Sequence, residues 1–290
     1  MQVSTGKPYI LDRGIHRPAF SIRHREEEYS SDGFDGLLAM QERHFWYRGR
    51  HRFLWEAVKR TLARERLSAG GLRVVDLGGG CGGWVKYLSD RGFESRELAV
   101  ADSSERALRF AEAVVPARTL RIQIDLLNLA WHQRWEVAFL LDVLEHIPED
   151  QRALREIHQT LAPGGLLFVT TPALKCFWSW NDEAVHHVRR YSKADFRRLA
   201  GACGFELLDA RYFMFLLSPL LVGSRFWTGR RVARMNPEER RALGRRMHRV
   251  PSRAINGALS AVFAAETPLG HCIPFPWGTS VLGVFRKPSS

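Results

Sequence analysis

Five glycines occupy the six positions 78–83, inside the stretch VVDLGGGCGGW that begins at Val74. Glycine loses more conformational freedom on folding than any other residue. Such density behind a strand-like run therefore marks a backbone that must pass close to something. A strand, a glycine turn and then a helical pattern restrict the chain to folds built from βα units. Two cofactor spacings are satisfied together. Gly78, Gly80 and Gly83 fit the G-x-G-x-x-G of NAD sites, while Gly78, Gly80 and Gly82 fit the G-x-G-x-G of S-adenosylmethionine (SAM) sites. Glycine spacing alone leaves both open.

The surrounding pattern repeats the strand and helix alternation. Strands are expected at 72–77, 97–101, 120–124, 136–141 and 166–171, with helices after the glycine run, at 104–114 and at 149–161. Strands alternating with helices imply right-handed crossovers and a parallel sheet. Beyond Pro172 the rhythm changes to a helix at 193–203, a strand at 205–212, a long Arg-rich helical region to about 266, and a last strand at 280–286. Apolar residues at helix-face spacing from Gln41 onwards predict a helix there. The expected division is an N-terminal arm at 1–40, a cofactor-binding core at 41–212, a helical lid or acceptor-binding insertion at 213–279, and a closing strand with tail at 280–290.

Asp76 separates the two cofactors. It lies two residues before Gly78, where a dinucleotide would place its pyrophosphate over the helix N-terminus. A carboxylate there repels phosphate, whereas SAM carries an ammonium and a sulfonium and no phosphate. Asp102, at the end of the second strand, stands where an acid binds ribose hydroxyls and suits either cofactor. The electrostatics favour SAM.

At these residues the chain resembles the class I SAM-dependent methyltransferase family. VVDLGGGCGG resembles its first motif, AVADSS its ribose-binding strand end, DVLEHI its fourth-strand segment and LAPGGLLFVTTP its fifth-strand entry. The resemblance covers roughly residues 40–215 and implies an α/β fold. That fold is a Rossmann-like methyltransferase sheet with an antiparallel last strand, a helical N-terminal segment and a helical C-terminal lid insertion. It further implies that Asp76, Gly78, Gly80 and Gly82 wrap the methionine moiety, and that Asp102 and Ser103 take the ribose. Asp125 and Leu126 would meet adenine, and Asp142 would line the methionine side. Cys81 departs from the small residues usual in the loop and reads as a compact filler. HFWYRGRHRF, HHVRRYS and PFPWGTSVLGVFRK are similar to segments of a bacterial group that includes enzymes for small molecules, quinone-like compounds and lipid- or sugar-linked intermediates.

Methyl transfer needs in-line positioning, and a base only where the acceptor loses a proton. His146, after the fourth strand, is one candidate base. NDEAVHHVRRYS, at 181–192, supplies the others: His187 and Tyr191 as catalytic candidates, with Asp182, His186 and Arg190 as acceptor contacts. Histidine titrates near neutrality and can take a proton from a hydroxyl, thiol or ammonium. Trp46, Tyr47 and Arg50 could cover the cofactor, since an aromatic ring attracts a sulfonium and an arginine pairs with a carboxylate.

Forty-three Lys and Arg against 31 Asp and Glu leave a net charge of +12. That charge admits an RNA methyltransferase, but neither an RNA-binding module nor a segment for a flipped base is found, so nucleic acid is not the expected acceptor. A catalytically silent, methyltransferase-like partner subunit would not need the intact glycine loop and both acids. The four scattered cysteines have no zinc-like spacing, so no metal is expected, and they suit a reducing cytoplasmic setting. The sequence opens without a signal-like apolar run, and the stretch 212–223, broken by Pro219, is short of the ~18–20 residues that span a bilayer. MFLLSPLLVGSRFW beside GRRVARM and RRALGRRMHR combines apolar with cationic surface. This gives peripheral membrane contact as the alternative to a lid.

Overall fold

In the computed structural model the described residues are 9–22, 24–25, 33–232, 234–236, 239–240, 243 and 249–289. Two short strands, β1 (Tyr9–Asp12) and β2 (Ile15–Pro18), are followed by helices α1 (Gly33–Arg43) and α2 (Phe45–Arg64). The alternating core is β3 (Arg73–Leu77), α3 (Gly83–Asp90), β4 (Glu97–Asp102), α4 (Glu105–Glu112), β5 (Leu120–Gln123), β6 (Trp135–Leu141), α5 (Asp150–Thr160) and β7 (Leu161–Pro172). The remainder is α6 (Trp180–Ala184), α7 (Lys193–Ala202), β8 (Glu206–Phe213), α8 (Ser218–Val232), α9 (Arg253–Cys272) and β9 (Ser280–Arg286).

The sheet order is β1-β2-β5-β4-β3-β6-β7-β9-β8. β5, β4, β3, β6 and β7 pair in parallel, and β9 slots antiparallel between β7 and β8. Every residue of β4, and all but the first of β3, is buried, because helices cover both faces of the parallel part. From β3 the chain builds outward through β4 and β5, then returns to the other side of β3 with β6 and β7. The order therefore reverses between β3 and β6. A crevice opens beyond the strand ends at such a switch point, and Asp76 and Asp142 stand on its two sides.

The expected Rossmann-like sheet with an antiparallel last strand is present, and the closing strand has the expected bounds. The N-terminal arm differs from expectation. Residues 9–18 form a hairpin whose turn residues Arg13 and Gly14 both have positive φ, 47° and 76°. The hairpin extends the sheet through His16 and Ile122. Strands of four residues with mixed polarity carry too little periodicity to be read locally. Strand β7 also starts five residues early, because Leu161 pairs with Trp135 across a bulge. Most of RRALGRRMHR lies outside the described residues.

α2 and α9 pack at close range because Gly49 has no side chain. A Cβ there would lie 1.9 Å from Cδ1 of Phe263, a fully buried ring. Gly49→Ala improves helix propensity by at most ~1 kcal/mol, while overpacking a filled core costs about 1–3 kcal/mol. The clash wins. Thermal unfolding of the variant is expected several degrees below the parent, and an unchanged midpoint would show that the helices separate freely.

Candidate cofactor and acceptor site

An open cleft lies over the switch point. All the residues lining it lie between His24 and Ile147.

Its floor is the glycine loop. Gly78 and Gly80 adopt φ of +70° and +55°, where side chains are disfavoured. A Cβ on Gly78 would lie 2.6 Å from Val143, and one on Gly79 would lie 2.7 Å from the Asp76 carboxylate. Ala101 O accepts from the N–H groups of Gly78 and Gly79 at 2.8 and 3.1 Å. Asp102 fixes the rest: Oδ2 accepts from Gly80 N at 2.9 Å and Oδ1 from Ser104 N at 2.8 Å. Each carboxylate oxygen keeps a second lone pair for a hydroxyl.

Asp76 is buried, and its Oδ1 has no hydrogen-bond partner. Burial pushes its pKa up to about 7; Asp102 adds to the rise and the Arg50 guanidinium opposes it. Across the cleft, Asp142 sits at φ +56° and donates its N–H to Thr170 O at 2.8 Å. Its Oδ2 pairs with Arg50 and accepts from Thr170 Oγ1 at 3.2 Å, leaving Oδ1 buried without a partner. The Arg50 guanidinium lies 5.1 Å from the Trp46 ring and 5.2 Å from Tyr47. Two desolvated carboxylate oxygens with nothing to accept from, above a cradle that any Cβ would fill, fit the ammonium and sulfonium of SAM.

At the other end, Arg25 pairs with Asp125 at 3.1 Å and Ser103 Oγ lies 2.8 Å from His24 Nδ1. Phe34, Leu37 and Gln41 of α1 close that side. The sequence reading missed this contribution, since nothing in the local pattern of 24–41 signals a cleft wall. It also missed Trp84, which the glycine run hides in plain sight as the first large side chain of α3.

Of the sequence candidates, the structure brings Tyr47, Arg50, Asp76, Gly78, Gly80, Asp102, Ser103, Asp125, Leu126, Asp142 and His146 to the cleft. Trp46 instead packs edge-on to Tyr47, 4.8 Å between centroids, against the core. Gly82 caps α3 with φ +80°, where a Cβ would lie 2.4 Å from Val115, so its role is packing. Cys81 is a buried filler beside Phe34 and Ala107.

The segment after β7 stands behind the cleft rather than in it. Asp182 is fully buried and accepts from Arg190 Nε and Nη2 at 2.8 and 3.0 Å. Despite burial, the bonds from His187 and Arg190 hold its carboxyl far below the ordinary range. Arg190 also donates to Ala173 O at 3.0 Å. Tyr191 is buried and donates to Asp150 Oδ2 at 2.9 Å; burial and the Asp150 charge push its phenol up, which suits a structural role. His186 is exposed at φ +61°. Asp182, Arg190 and Tyr191 thus lock the loop, and His186 does not line the cleft.

His187 occupies the second row. Its Nδ1 lies 2.9 Å from Asp182 Oδ1, and its ring meets the His146 ring edge-on with centroids 4.8 Å apart. Of these two rings, His146 lines the cleft. Beside them lies Glu145, with Oε1 3.9 Å from His187 Nε2, fully buried and with neither carboxylate oxygen hydrogen-bonded, so burial and nearby Asp142 drive its carboxyl well above the usual range. Glu145, His146 and His187 also bring three ligand-type atoms within 4.8 Å of one another, the sole such group among the described residues. The sequence expectation of no metal rested on cysteine and histidine spacing, and that spacing cannot register a trio gathered from two loops.

A sheet reversing between two acid-bearing strands, with a glycine cradle between them, defines a class I methyltransferase domain. Residues 43–210 match the methyltransferase domain family, and the chain belongs to that family, whose cofactor is SAM. The chain is 27% identical over 111 residues to a ubiquinone biosynthesis O-methyltransferase of Pseudomonas entomophila, covering 37% of this chain and 47% of that one. It is 32% identical over 165 residues to a trans-aconitate 2-methyltransferase of an Azoarcus species, covering 56% and 62%. The matches thus span about half to three fifths of those relatives' length. In fold it is similar, with a TM-score of 0.55 and 18% identity over 92% of this chain and 100% of that one, to a chain of a Haloferax volcanii complex between the Trm112 methyltransferase activator and a methyltransferase.

Proposed function

We propose that this chain transfers the methyl group of SAM to a small-molecule acceptor bound at the His146 end of the cleft. One observation supports this most. The acids that suit a nucleoside, the loop and carboxylates that suit an amino-acid cation, and a histidine all line the same cleft. Asp102, Ser103 and Asp125 would hold the nucleoside, and Asp76, Gly78, Gly80 and Asp142 the methionine end. The bound cofactor supplies an electrophilic methyl. The chain's own contribution is to orient the acceptor, exclude water and take a proton. His146 would accept that proton as the bond to the methyl forms. His187, anchored on Asp182, would hold the His146 ring in place. The names of the relatives support a small molecule, and that of the Pseudomonas protein specifies oxygen. The intact cradle speaks against a silent subunit, and nothing in the cleft favours RNA.

Calorimetry with SAM and its demethylated product tests the reading, and Asp76 gives it a sign. Its folded-state pKa is raised, so the free protein keeps an extra proton between the ordinary aspartate value of 3.8 and about 7. Stability of the cofactor-free protein should therefore fall as pH rises through that window. SAM affinity should instead rise up to about pH 7, because the ionised carboxylate attracts the ammonium. Asp76→Asn should flatten both dependences. A parent protein that binds SAM equally well on both sides of pH 7 would remove Asp76 from the cofactor site, and binding of NAD without response to SAM would sink the whole proposal.

A further inference from the structure

The surface built by α8 and α9 lies outside the cleft. Residues 225–253 hold ten arginines against two glutamates, a net +8 of the chain's +12. Arg230, Arg231, Arg249 and Arg253 are exposed. Beside Arg230 and Arg231 on α8 stand large apolar side chains in water. Leu220 is 59% exposed and Trp227 is 73% exposed, two turns apart on one face of α8. On α9, Ile255, Val262 and Leu269 follow at seven-residue spacing and are 57%, 38% and 45% exposed. After Arg253 the only Asp, Glu, Lys or Arg of that helix is Glu266, which is fully buried.

The start of α8 and the end of α9 meet at one place. Leu216 N donates to Glu266 Oε2 at 2.8 Å, and Trp277 Nε1 donates to Ser218 Oγ at 3.2 Å. The Phe215 ring lies 4.9 Å from that of Trp277. The start of α8, the end of α9 and the loop carrying Trp277 therefore form one neighbourhood, and Leu216, Ile273 and Trp277 are all exposed in it. Large apolar side chains exposed together in this way mark an interaction site.

We propose that this face attaches the protein peripherally to the surface of an anionic lipid bilayer. Tryptophan and leucine enter the headgroup boundary while arginines hold the lipid charges. No helix among the described residues is long and apolar enough to cross a membrane, so the contact is one of surface. A twofold dimer through the same face of α8 would press Arg230 and Arg231 against their own copies. An RNA backbone would leave Leu220, Ile273 and Leu269 without partners. Charge complementarity selects the lipid.

The attachment also bears on the acceptor, on the condition that the methyltransferase reading holds. Asn256, in the first turn of α9, donates to Arg43 O and accepts from Phe45 N, each at 2.8 Å. It clamps the junction of α1 and α2, whose Gln41 and Tyr47 line the cleft. Docking through α9 brings that wall to the bilayer, which suits an acceptor with a polar end and a tail kept in lipid.

Co-sedimentation of the intact chain with vesicles decides this. Vesicles of phosphatidylcholine mixed with phosphatidylglycerol should carry the protein down at low salt, and phosphatidylcholine alone should carry little. An arginine near such a surface contributes about fivefold to partitioning, so Arg230→Ala with Arg231→Ala should weaken it about thirtyfold. Leu220→Glu and Trp227→Glu should each weaken it at fixed salt. SAM affinity and thermal unfolding, measured on the same variants, should stay at parent values, which separates failure of this proposal from failure of the cofactor reading. Sedimentation with neither vesicle, or variants that partition like the parent, would overturn it. So would salt-sensitive RNA binding without vesicle binding, or a dimer in solution that Leu220→Glu dissolves.

Discussion

Replacing His146 with alanine is expected to lower turnover by about 10²–10⁴-fold, the usual contribution of a positioned acid or base, with SAM affinity nearly unchanged. His146 lines the cleft where His187 does not, and its loss would remove the proposed proton acceptor without touching the cradle at Gly78 and Gly80. His187→Ala should cost less. That ring lies behind His146, 4.8 Å away between centroids, and is itself held by Asp182. Its removal loosens the base rather than deleting it, so kcat should fall by about tenfold while KM for the acceptor moves little. The measurement is steady-state turnover for both variants with SAM titrated by calorimetry alongside. Equal and near-normal rates would mean that catalysis here is positioning alone. A larger loss in His187→Ala than in His146→Ala would reverse the two roles.

Asp102→Ala is expected to weaken SAM and its demethylated product together, by roughly 1.5–3 kcal/mol for a lost charged acceptor, or about ten- to a hundredfold. The structure adds a second consequence. Both Asp102 oxygens already accept backbone N–H groups, from Gly80 and Ser104. Alanine leaves two buried donors without partners, so the free protein should also lose stability, by about 1–3 kcal/mol for each buried donor left unsatisfied. Calorimetry of both ligands and a denaturant titration of the free protein separate the two effects. Unchanged binding in a destabilised variant would show that Asp102 shapes the loop and never reaches the ribose.

The sequence by itself determined the parallel core and the position of its cleft, because those features have local causes. A buried strand reads as an apolar run, a positive-φ turn demands glycine at Gly78 and Gly80, and an acid two residues earlier decides which charge is welcome. It could also place Asp102, Asp125 and Asp142 at strand ends, since those follow from strand length. The tertiary structure alone decided which polar groups face the cleft. His146 and His187 lie 41 residues apart and read alike in sequence, yet one lines the wall and the other is spent on Asp182. Tyr191 and Arg190 resemble a binding segment but close their valences on Asp150, Asp182 and a carbonyl. The cleft's outer wall comes from His24, Arg25 and α1, which no periodicity marks. Periodicity reports what a residue's own element buries; which partner satisfies a side chain is fixed only when distant elements are brought together, and there the hydrogen bonds of the loop after β7 settled the matter.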